Sequence, residues 1–156
     1  MHPRLEYHKE FPDALKAMLG LQAYVDRSRL DHKLLELVKM RASQINGCAY
    51  CIDMHSKDAR ALGETEQRLY ALSAWREAPF FTEKERAALA WTESLTLISE
   101  TGAPDEVYEE VRKHFGDEDL VVLSLAIVAI NGWNRLAVGF RSLAGAYQPG
   151  RKPSAE

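Results

Sequence analysis

The chain of 156 residues is long enough for one domain with a buried core, and its 46% hydrophobic and 28% charged residues are ordinary for a globular protein. The formal net charge is −3 and no block of basic residues is present, which argues against binding to nucleic acid. Residues 1–6 are too polar for a secretory signal, so we expect a cytoplasmic protein. The most apolar stretch, residues 120–130, is shorter than the roughly 20 residues of a membrane-spanning helix, so no membrane association is predicted.

The first half of the chain carries three helical patterns in succession. Apolar residues recur at three- and four-residue steps in residues 12–26 and again in residues 31–46. An Asn-Gly pair closes the second pattern, as is typical of a helix end. A third helix is predicted to begin at or just before Cys48 and to end at Gly63.

The second half of the chain predicts four more helices, at residues 65–76, 82–99, 104–115 and 117–146. The second of these opens with Thr-Glu-Lys-Glu, the pattern of a capping box. Alternating apolar runs between hairpin turns are missing, so no sheet is expected. The sequence therefore predicts an all-α fold, a bundle of six or seven helices in one domain of residues 1–147, followed by a flexible tail of residues 148–156.

The two cysteines of the chain, Cys48 and Cys51, form a C-x-x-C pair at the start of the third predicted helix. The free N–H groups of a helix N-terminus favour a thiolate, which is the reactive form of a cysteine. His55 follows Cys51 by one helical turn and falls on the same stripe as both cysteines. One thiolate can attack an oxidant to form a sulfenic acid, and the other can condense with it to a disulfide. Cys51 is the better candidate for the attack because it pairs with His55, which leaves Cys48 to resolve the intermediate.

The sequence offers an acid–base partner for His55. It also offers a metal site as an alternative role for the same residues. Glu36, set among leucines on the preceding helix, is the predicted acid–base partner of His55. Together with the two cysteines, these residues would also supply four zinc ligands. Structural zinc ligands usually bracket loops, whereas three of these four share one helical stripe, which favours the redox pair.

Other polar and aromatic residues carry weaker signals. Asn131, Asn134 and Arg135 follow a strongly apolar stretch, and either a pocket wall, a subunit interface or an exposed helix end would accommodate them. Trp133 is expected to be a core or interface anchor. The remaining histidines are expected on the surface: His2, His8, His32 and His114.

Residues 36–55 resemble the alkylhydroperoxidase D-like branch of the carboxymuconolactone decarboxylase family. The shared pattern is a glutamate, eleven residues, a cysteine, two residues, a cysteine, three residues and a histidine. Similarity extends along most of the chain, including residues 83–90 and 130–135. The resemblance implies an all-helical protein that assembles into trimers or hexamers.

The resemblance also implies roles for individual residues. Cys51 would be the peroxidatic cysteine, Cys48 would resolve the intermediate and donate a proton, and His55 and Glu36 would form the proton relay. A dithiol partner, such as a lipoylated or thioredoxin-like protein, would regenerate the thiols, with no tightly bound cofactor. One position departs from the family, because Tyr50 stands where the best-understood peroxidases carry a relay histidine. A phenol with a pKa of about 10 does not shuttle protons at neutral pH as an imidazole does.

The sequence thus predicts a thiol-dependent peroxidase or disulfide oxidoreductase that reduces hydroperoxides through the Cys48–Cys51 pair. A slower peroxidase, or a disulfide reductase with another substrate, is the variant that Tyr50 suggests. The first alternative is a zinc-binding or non-catalytic oligomeric binding protein that uses the same residues. The second is a lactone decarboxylase, whose activity would persist after both cysteines are replaced. The apolar run before Trp133 also exceeds what one helix of a small bundle needs, which favours a homo-oligomer.

Overall fold

The structure, a computed structural model, describes residues 2–150 of the chain. Every regular element in that range is helical, which confirms the predicted all-α fold. The nine α-helices are α1 (Tyr7–Glu10), α2 (Lys16–Asp26), α3 (His32–Ile45), α4 (Ala49–Ala61), α5 (Glu66–Ala71), α6 (Glu83–Thr96), α7 (Ile98–Thr101), α8 (Asp105–Arg112) and α9 (Asp117–Phe140). Two 3₁₀ turns, Pro12–Leu15 and Leu72–Ala74, precede α2 and follow α5.

Helix α3 lies at the centre of the bundle, where it packs against α4, α6 and α9. The side chain of Asp31 caps its N-terminus by accepting a hydrogen bond from the Lys33 amide at 3.0 Å. Residues 34–40 are all buried, and they include the charged residues Glu36 and Lys39. Buried charges are stable only with partners inside the protein, so Glu36 and Lys39 must find their partners within the core.

Among the described residues, the apolar core is built from three clusters, and the smallest of them contains the C-x-x-C pair. In this cluster Cys48 and Cys51 pack with Ala42 of α3 and with Ile130 and Ala137 of α9. The start of α4 therefore lies between α3 and α9, and the two cysteines lie in an apolar environment.

Helix α9 is 24 residues long and is apolar enough, by length and composition alone, to cross a membrane. Half of its most apolar 18-residue stretch is buried inside the structure. Such burial is what a core helix of a bundle shows, since its apolar face packs on neighbouring helices.

Residues 2–150 form nine α-helices, two more than the seven helical ranges predicted from the sequence. The additional helices, α1 and α7, have four residues each, which is too short for apolar periodicity to indicate them. The capping box of α6 is confirmed, because Thr82 and Glu85 bond each other's backbone N–H groups. The helix breaks at Leu97, where ψ is 36°, so it ends before the predicted residue 99.

Two other predicted helices begin or end as 3₁₀ turns. Residues 12–15 form the turn that precedes α2, and residues 72–74 form the turn that ends the fourth predicted helix, so that α5 itself stops at Ala71. Turns of this kind are frequent at helix ends, where α and 3₁₀ hydrogen bonding differ little in free energy. Sequence periodicity does not distinguish them.

Helix α9 ends at Phe140, whereas a helix reaching residue 146 was predicted. Arg141 adopts a φ of 60°, in the left-handed region, and the Ser142 amide donates back to the carbonyl of Ala137 at 2.8 Å. This reversal is a common helix ending, but a glycine usually marks it. With arginine at that position, the sequence gives no sign that the helix stops.

Residues 141–147, here called the C-terminal segment, turn back and lie along α4. The Lys57 ammonium donates to the carbonyl oxygens of Gly145 at 3.3 Å and Tyr147 at 3.0 Å. The carboxylate of Asp53 accepts from the Gly145 amide at 3.0 Å. Of the predicted tail, residues 151–156 lie outside the described residues.

Candidate active site

Cys48 and Cys51 are joined in a disulfide at the N-terminus of α4. Cys48 is the N-cap residue in an extended conformation, and its sulfur accepts a hydrogen bond from the Cys51 amide at 3.3 Å. Both residues are only 1% exposed. The free N–H groups and the positive end of the helix dipole lie at this end of α4, which favours a thiolate once the bond is reduced.

His55 and Glu36 form a buried pair beside the disulfide. Nδ1 of His55 lies 2.8 Å from Oε2 of Glu36. A carboxylate only accepts hydrogen bonds, so this contact places a proton on Nδ1 and leaves Nε2 as the free ring nitrogen. The structure therefore brings together the four residues that the sequence analysis selected, from two helices.

Lys39 completes the buried charge cluster and was missed by the sequence analysis. Its ammonium lies 2.8 Å from Oε1 of Glu36, so the carboxylate bridges a lysine and a histidine. Lys39 follows Glu36 by one helical turn inside an apolar stretch, and that spacing was the available signal. Burial alone would raise the pKa of the Glu36 carboxyl. The hydrogen bond and charge of His55, together with the charge of Lys39, outweigh burial and lower that pKa below its ordinary value.

A cavity of about 400 Å³ opens next to this cluster. Its lining residues are Tyr7, His8, Gln22, Asp26, His32, Glu36, Lys39, Tyr50, Cys51, Met54, His55, Asp58, Trp133 and Ala137. Of the two cysteines, only Cys51 lines it, so a small molecule in the cavity would contact Cys51 rather than Cys48. The cavity combines aromatic walls with a few convergent polar groups, as small-molecule sites usually do.

Tyr50 and Trp133, two of the weaker sequence candidates, lie in the wall of this cavity. Burial, and then the negative charge of Asp53, raise the pKa of the Tyr50 phenol above its ordinary value. Tyr50 is therefore a protonated hydrogen-bond donor at neutral pH. The indole of Trp133 donates to Oε1 of Gln22 at 3.2 Å, which fixes its ring against helix α2.

Asn131 and Arg135 do not line the cavity. Their side chains instead take part in hydrogen bonds that hold the surrounding chain in place. Nδ2 of Asn46 donates to Oδ1 of Asn131 at 2.9 Å and to Oδ1 of Asn134 at 2.8 Å. Asn134, 1% exposed, also donates to Oγ of Ser43 at 3.0 Å. This network holds the loop that enters Cys48. Arg135 is exposed and its guanidinium binds the carbonyl and side-chain oxygens of Asn131.

Asp58 and Tyr147 are further residues near the site that the sequence analysis did not select. Asp58 continues the stripe of Cys51 and His55 by one more turn, and it lines the cavity. Oη of Tyr147 donates to Oδ1 of Asp58 at 2.7 Å, so the C-terminal segment is tied to the cavity wall. Burial, and then the carboxylate of Asp58, raise the pKa of the Tyr147 phenol far above its ordinary value, which keeps it a donor.

The remaining histidines occupy different positions. His2, His8 and His32 are exposed, as expected, although the last two also line the cavity. His114 is half-buried and lies 3.6 Å from a carboxylate oxygen of Glu110, far along the chain from the cysteines. None of these four contacts the Glu36 carboxylate among the hydrogen bonds of residues 2–150.

One group of side chains could hold a metal ion by distance alone. Glu36, His55 and Asp58 present one ligand atom each, and these atoms lie within 4.8 Å of one another. The Lys39 ammonium already occupies one oxygen of Glu36, and a metal cation would face its positive charge. The two cysteine sulfur atoms are bonded to each other, so the predicted four-ligand zinc set is not available in this state.

A larger cavity, of about 670 Å³, lies on the opposite side of α4. Ile52, Ser56 and Arg60 of α4 contribute to its wall, together with Met40 and Tyr70. No cysteine or histidine of the described residues lines it. The chemistry of the chain is therefore concentrated in the smaller cavity.

Comparison with known proteins gives a consistent family. The model of the carboxymuconolactone decarboxylase family matches residues 10–94. The chain is 44% identical over 144 residues to the uncharacterized protein YdfG of Bacillus subtilis, covering 92% of this chain and 98% of that one. A solved structure from Agrobacterium tumefaciens, a protein of unknown function described as a candidate antioxidant defence protein AhpD, superposes with a TM-score of 0.90. It is 50% identical, with 94% of this chain and 100% of that chain covered.

A more distant structural neighbour shares the fold and is named for a different reaction. The debrominase Bmp8 superposes with a TM-score of 0.74 at 24% identity, covering 86% of this chain and 73% of that one. At this identity the likeness shows a shared fold. The helical scaffold is therefore not tied to one reaction, and the reaction must be argued from the site.

Proposed function

Because the chain belongs to the carboxymuconolactone decarboxylase family, we propose, from its own site, that it is a thiol-dependent peroxidase of the alkylhydroperoxidase D-like type. The observation that carries the proposal is the position of Cys51. Cys51 lines a cavity sized for a small organic molecule, at a helix N-terminus and together with His55. A nucleophile, a base and the base's carboxylate partner are the parts that such catalysis needs.

The proposed reaction begins with the reduced dithiol. Nε2 of His55 takes the Cys51 proton, and the imidazolium is stabilised by Glu36. The thiolate attacks the terminal oxygen of a hydroperoxide ROOH, the O–O bond breaks, and Cys51 becomes a sulfenic acid while RO⁻ takes the proton from His55 and leaves as ROH. The Cys48 thiol then attacks the sulfenic sulfur, which releases water and forms the Cys48–Cys51 disulfide.

Reduction of the disulfide needs two electrons and two protons from an external dithiol. Neither sulfur is exposed at the protein surface, and Cys51 is accessible only through the cavity. A dithiol at the end of a slender, flexible arm, such as a lipoyl group, fits this geometry better than the dithiol of a folded thioredoxin-like surface. We therefore propose a lipoylated protein as the reductant. Faster reduction of the disulfide by a thioredoxin than by a lipoylated domain would contradict this.

The proposed function is tested by peroxide consumption with dithiothreitol as the reductant. Cys51→Ser removes the nucleophile and should abolish catalysed consumption. In a separate reaction without dithiothreitol, Cys48→Ser should consume one equivalent of hydroperoxide and then stop, with a Cys51 sulfenic acid that dimedone traps. His114→Ala, a histidine remote from the cavity, is the matched control and should keep full activity. Full peroxide consumption by Cys51→Ser would refute the proposal.

Two alternative functions, metal binding and lactone decarboxylation, are tested by simple measurements. The ligand atoms of Glu36, His55 and Asp58 favour metal binding by their spacing, and metal analysis of the purified protein in its reduced state tests it. Stoichiometric zinc that survives dialysis, together with unreactive thiols, would replace the peroxidase proposal. Decarboxylation of a lactone acid that persists after both cysteines are replaced would support a decarboxylase instead.

A further inference from the structure

The cavity of about 400 Å³ that Cys51 lines is here called the Cys51 cavity. Among the described residues that line it, Lys39 is the one lysine or arginine. It is 7% exposed and lies in the middle of helix α3. An ammonium group has three N–H donors. Within residues 2–150, the hydrogen bonds of its Nζ comprise a single one, to Oε1 of Glu36 at 2.8 Å. A buried donor without an acceptor costs free energy, and the adjoining cavity is where an acceptor can be supplied.

The proposed peroxidase reaction creates such an acceptor. When the Cys51 thiolate attacks the terminal oxygen of ROOH, the O–O electron pair moves onto the inner oxygen, which becomes RO⁻. An alkoxide is strongly basic and is a poor leaving group. A preorganised cation in a site with little water stabilises charge of this kind as it develops, and it does so more strongly than solvent would.

The other donors of the cavity are less suited to this charge. The Trp133 indole N–H is already bonded to Gln22, and Nδ1 of His55 already donates to Glu36. The proton on Nε2 of His55 is the one transferred to the leaving oxygen, so it does not remain as a fixed charge. The phenol of Tyr50 carries no positive charge. Lys39 is held in place by Glu36, so its charge is present before substrate arrives and no reorganisation is needed.

We propose that the Lys39 ammonium binds the leaving oxygen of the hydroperoxide and stabilises the alkoxide that forms there. This inference rests on the proposed peroxidase function and adds a substrate-contacting group to it. Lys39 donates a hydrogen bond and keeps its protons, while the proton that converts RO⁻ to ROH comes from His55. Sulfur is oxidised by two electrons as the O–O bond is reduced, so the step balances with Cys51, ROOH and the His55 proton alone.

The inference is tested by comparing two oxidants whose leaving groups differ in basicity. Reaction of the pre-reduced protein with tert-butyl hydroperoxide releases tert-butoxide, whereas reaction with peroxyacetic acid releases the weakly basic acetate. The second-order rate constant of Cys51 oxidation is measured by rapid mixing and thiol quenching, without an added reductant. Removing one oxyanion-stabilising donor typically slows the step about 100-fold or more.

Lys39→Met should therefore slow oxidation by tert-butyl hydroperoxide about 100-fold and oxidation by peroxyacetic acid less than about 10-fold. Lys39→Arg keeps a cationic donor and should restore most of the rate. Lys33→Met, an exposed lysine of the same helix, is the matched control and should leave both rates unchanged. An equal loss with both oxidants would overturn the inference, because a group that stabilises the leaving oxygen must matter more for the more basic leaving group.

Loss of Lys39 leaves Glu36 with one cation fewer, and the variant can be checked for folding by circular dichroism. If the single variant unfolds, Lys39→Met is made in the Glu36→Gln background, where both charges are absent, and is compared with Glu36→Gln alone. The same unequal loss between the two oxidants is expected there. A wild-type protein that reacts with neither oxidant would refute the peroxidase function and this inference together, whereas equal losses in a reactive protein refute the inference alone.

Discussion

Oε2 of Glu36 lies 2.8 Å from Nδ1 of His55, and this contact joins the central helix to the helix that carries both cysteines. It fixes the orientation of the imidazole ring. It also determines which nitrogen, Nε2, is free to exchange a proton with Cys51. The acid–base chemistry of the proposed site depends on this one buried pair.

Replacement of His55 by alanine should raise the pKa of the Cys51 thiol. The imidazolium that pairs with the thiolate is lost, and an opposite charge nearby is a principal cause of lowered thiol pKa values. We expect an increase of about one pKa unit or more. The measurement is the pH dependence of iodoacetamide alkylation of the reduced protein. A pH profile identical to that of the wild type would show that His55 does not activate Cys51.

Asn134→Ala should destabilise the loop before Cys48. The side chain is buried, and its loss removes partners from both Asn46 and Ser43, at a cost of about 2 kcal/mol in the free energy of unfolding. Urea denaturation measures this cost. Arg135→Ala, one position further along the same helix and exposed, should change the free energy of unfolding by less than about 0.5 kcal/mol. Similar losses for both variants would mean that the network does not hold the loop.

Glu93 should make the fold sensitive to acid. Burial alone would raise the pKa of its carboxyl, but hydrogen bonds from Trp75, Arg76 and Arg41 outweigh burial and lower that pKa below its ordinary value. Because the folded-state pKa is below the unfolded value of about 4.3, the carboxylate stabilises the fold above that pH. This contribution is lost as the pH falls through the folded-state pKa.

Glu93→Gln should therefore lower the free energy of unfolding at pH 7 by about 2 kcal/mol and reduce its dependence on pH between about 5 and 3. Glu77→Gln, an exposed glutamate, is the control and should leave both quantities unchanged. Urea denaturation at several pH values gives the comparison. An unaltered pH dependence in Glu93→Gln would assign the acid sensitivity to other groups.

Exposed valines on α9 should contribute to a contact between copies of the chain. Val121 is 57% exposed and Val128 is 54% exposed, two turns apart on one face of the helix. We expect a homo-oligomer, and Val128→Glu should shift it towards the monomer in light scattering. Ile98→Glu, at an apolar residue 56% exposed on a different helix, is the control. A wild-type protein with the mass of a monomer would contradict the expectation.

The all-α class, and the grouping of the cysteines and the histidine on one face of a helix, could be predicted from sequence because both depend on local spacing. Cys48, Cys51 and His55 lie on a single helix, so a period of 3.6 residues is enough to place them together. Glu36 comes from a neighbouring helix. Its position among leucines suggested it as a partner of His55, and the family resemblance strengthened that choice, since residues 19 positions apart are not brought together by local periodicity.

The remaining parts of the site depend on tertiary contacts that local patterns do not contain. Tyr147 reaches Asp58 across 89 positions of the chain, and it does so only because α9 stops at Phe140. That stop depends on an arginine in the left-handed region, where sequence rules expect glycine. Lys39 had the right spacing from Glu36, but a lysine in an apolar stretch more often marks an exposed position than a buried charge.

The most direct test of the central claim is timed thiol alkylation with mass spectrometry on the reduced protein, before and after one equivalent of hydroperoxide. We predict rapid loss of both free thiols and a mass decrease of two hydrogens, with Cys48 and Cys51 in one disulfide-linked peptide. Both thiols remaining free and alkylatable after exposure to the hydroperoxide would contradict the account.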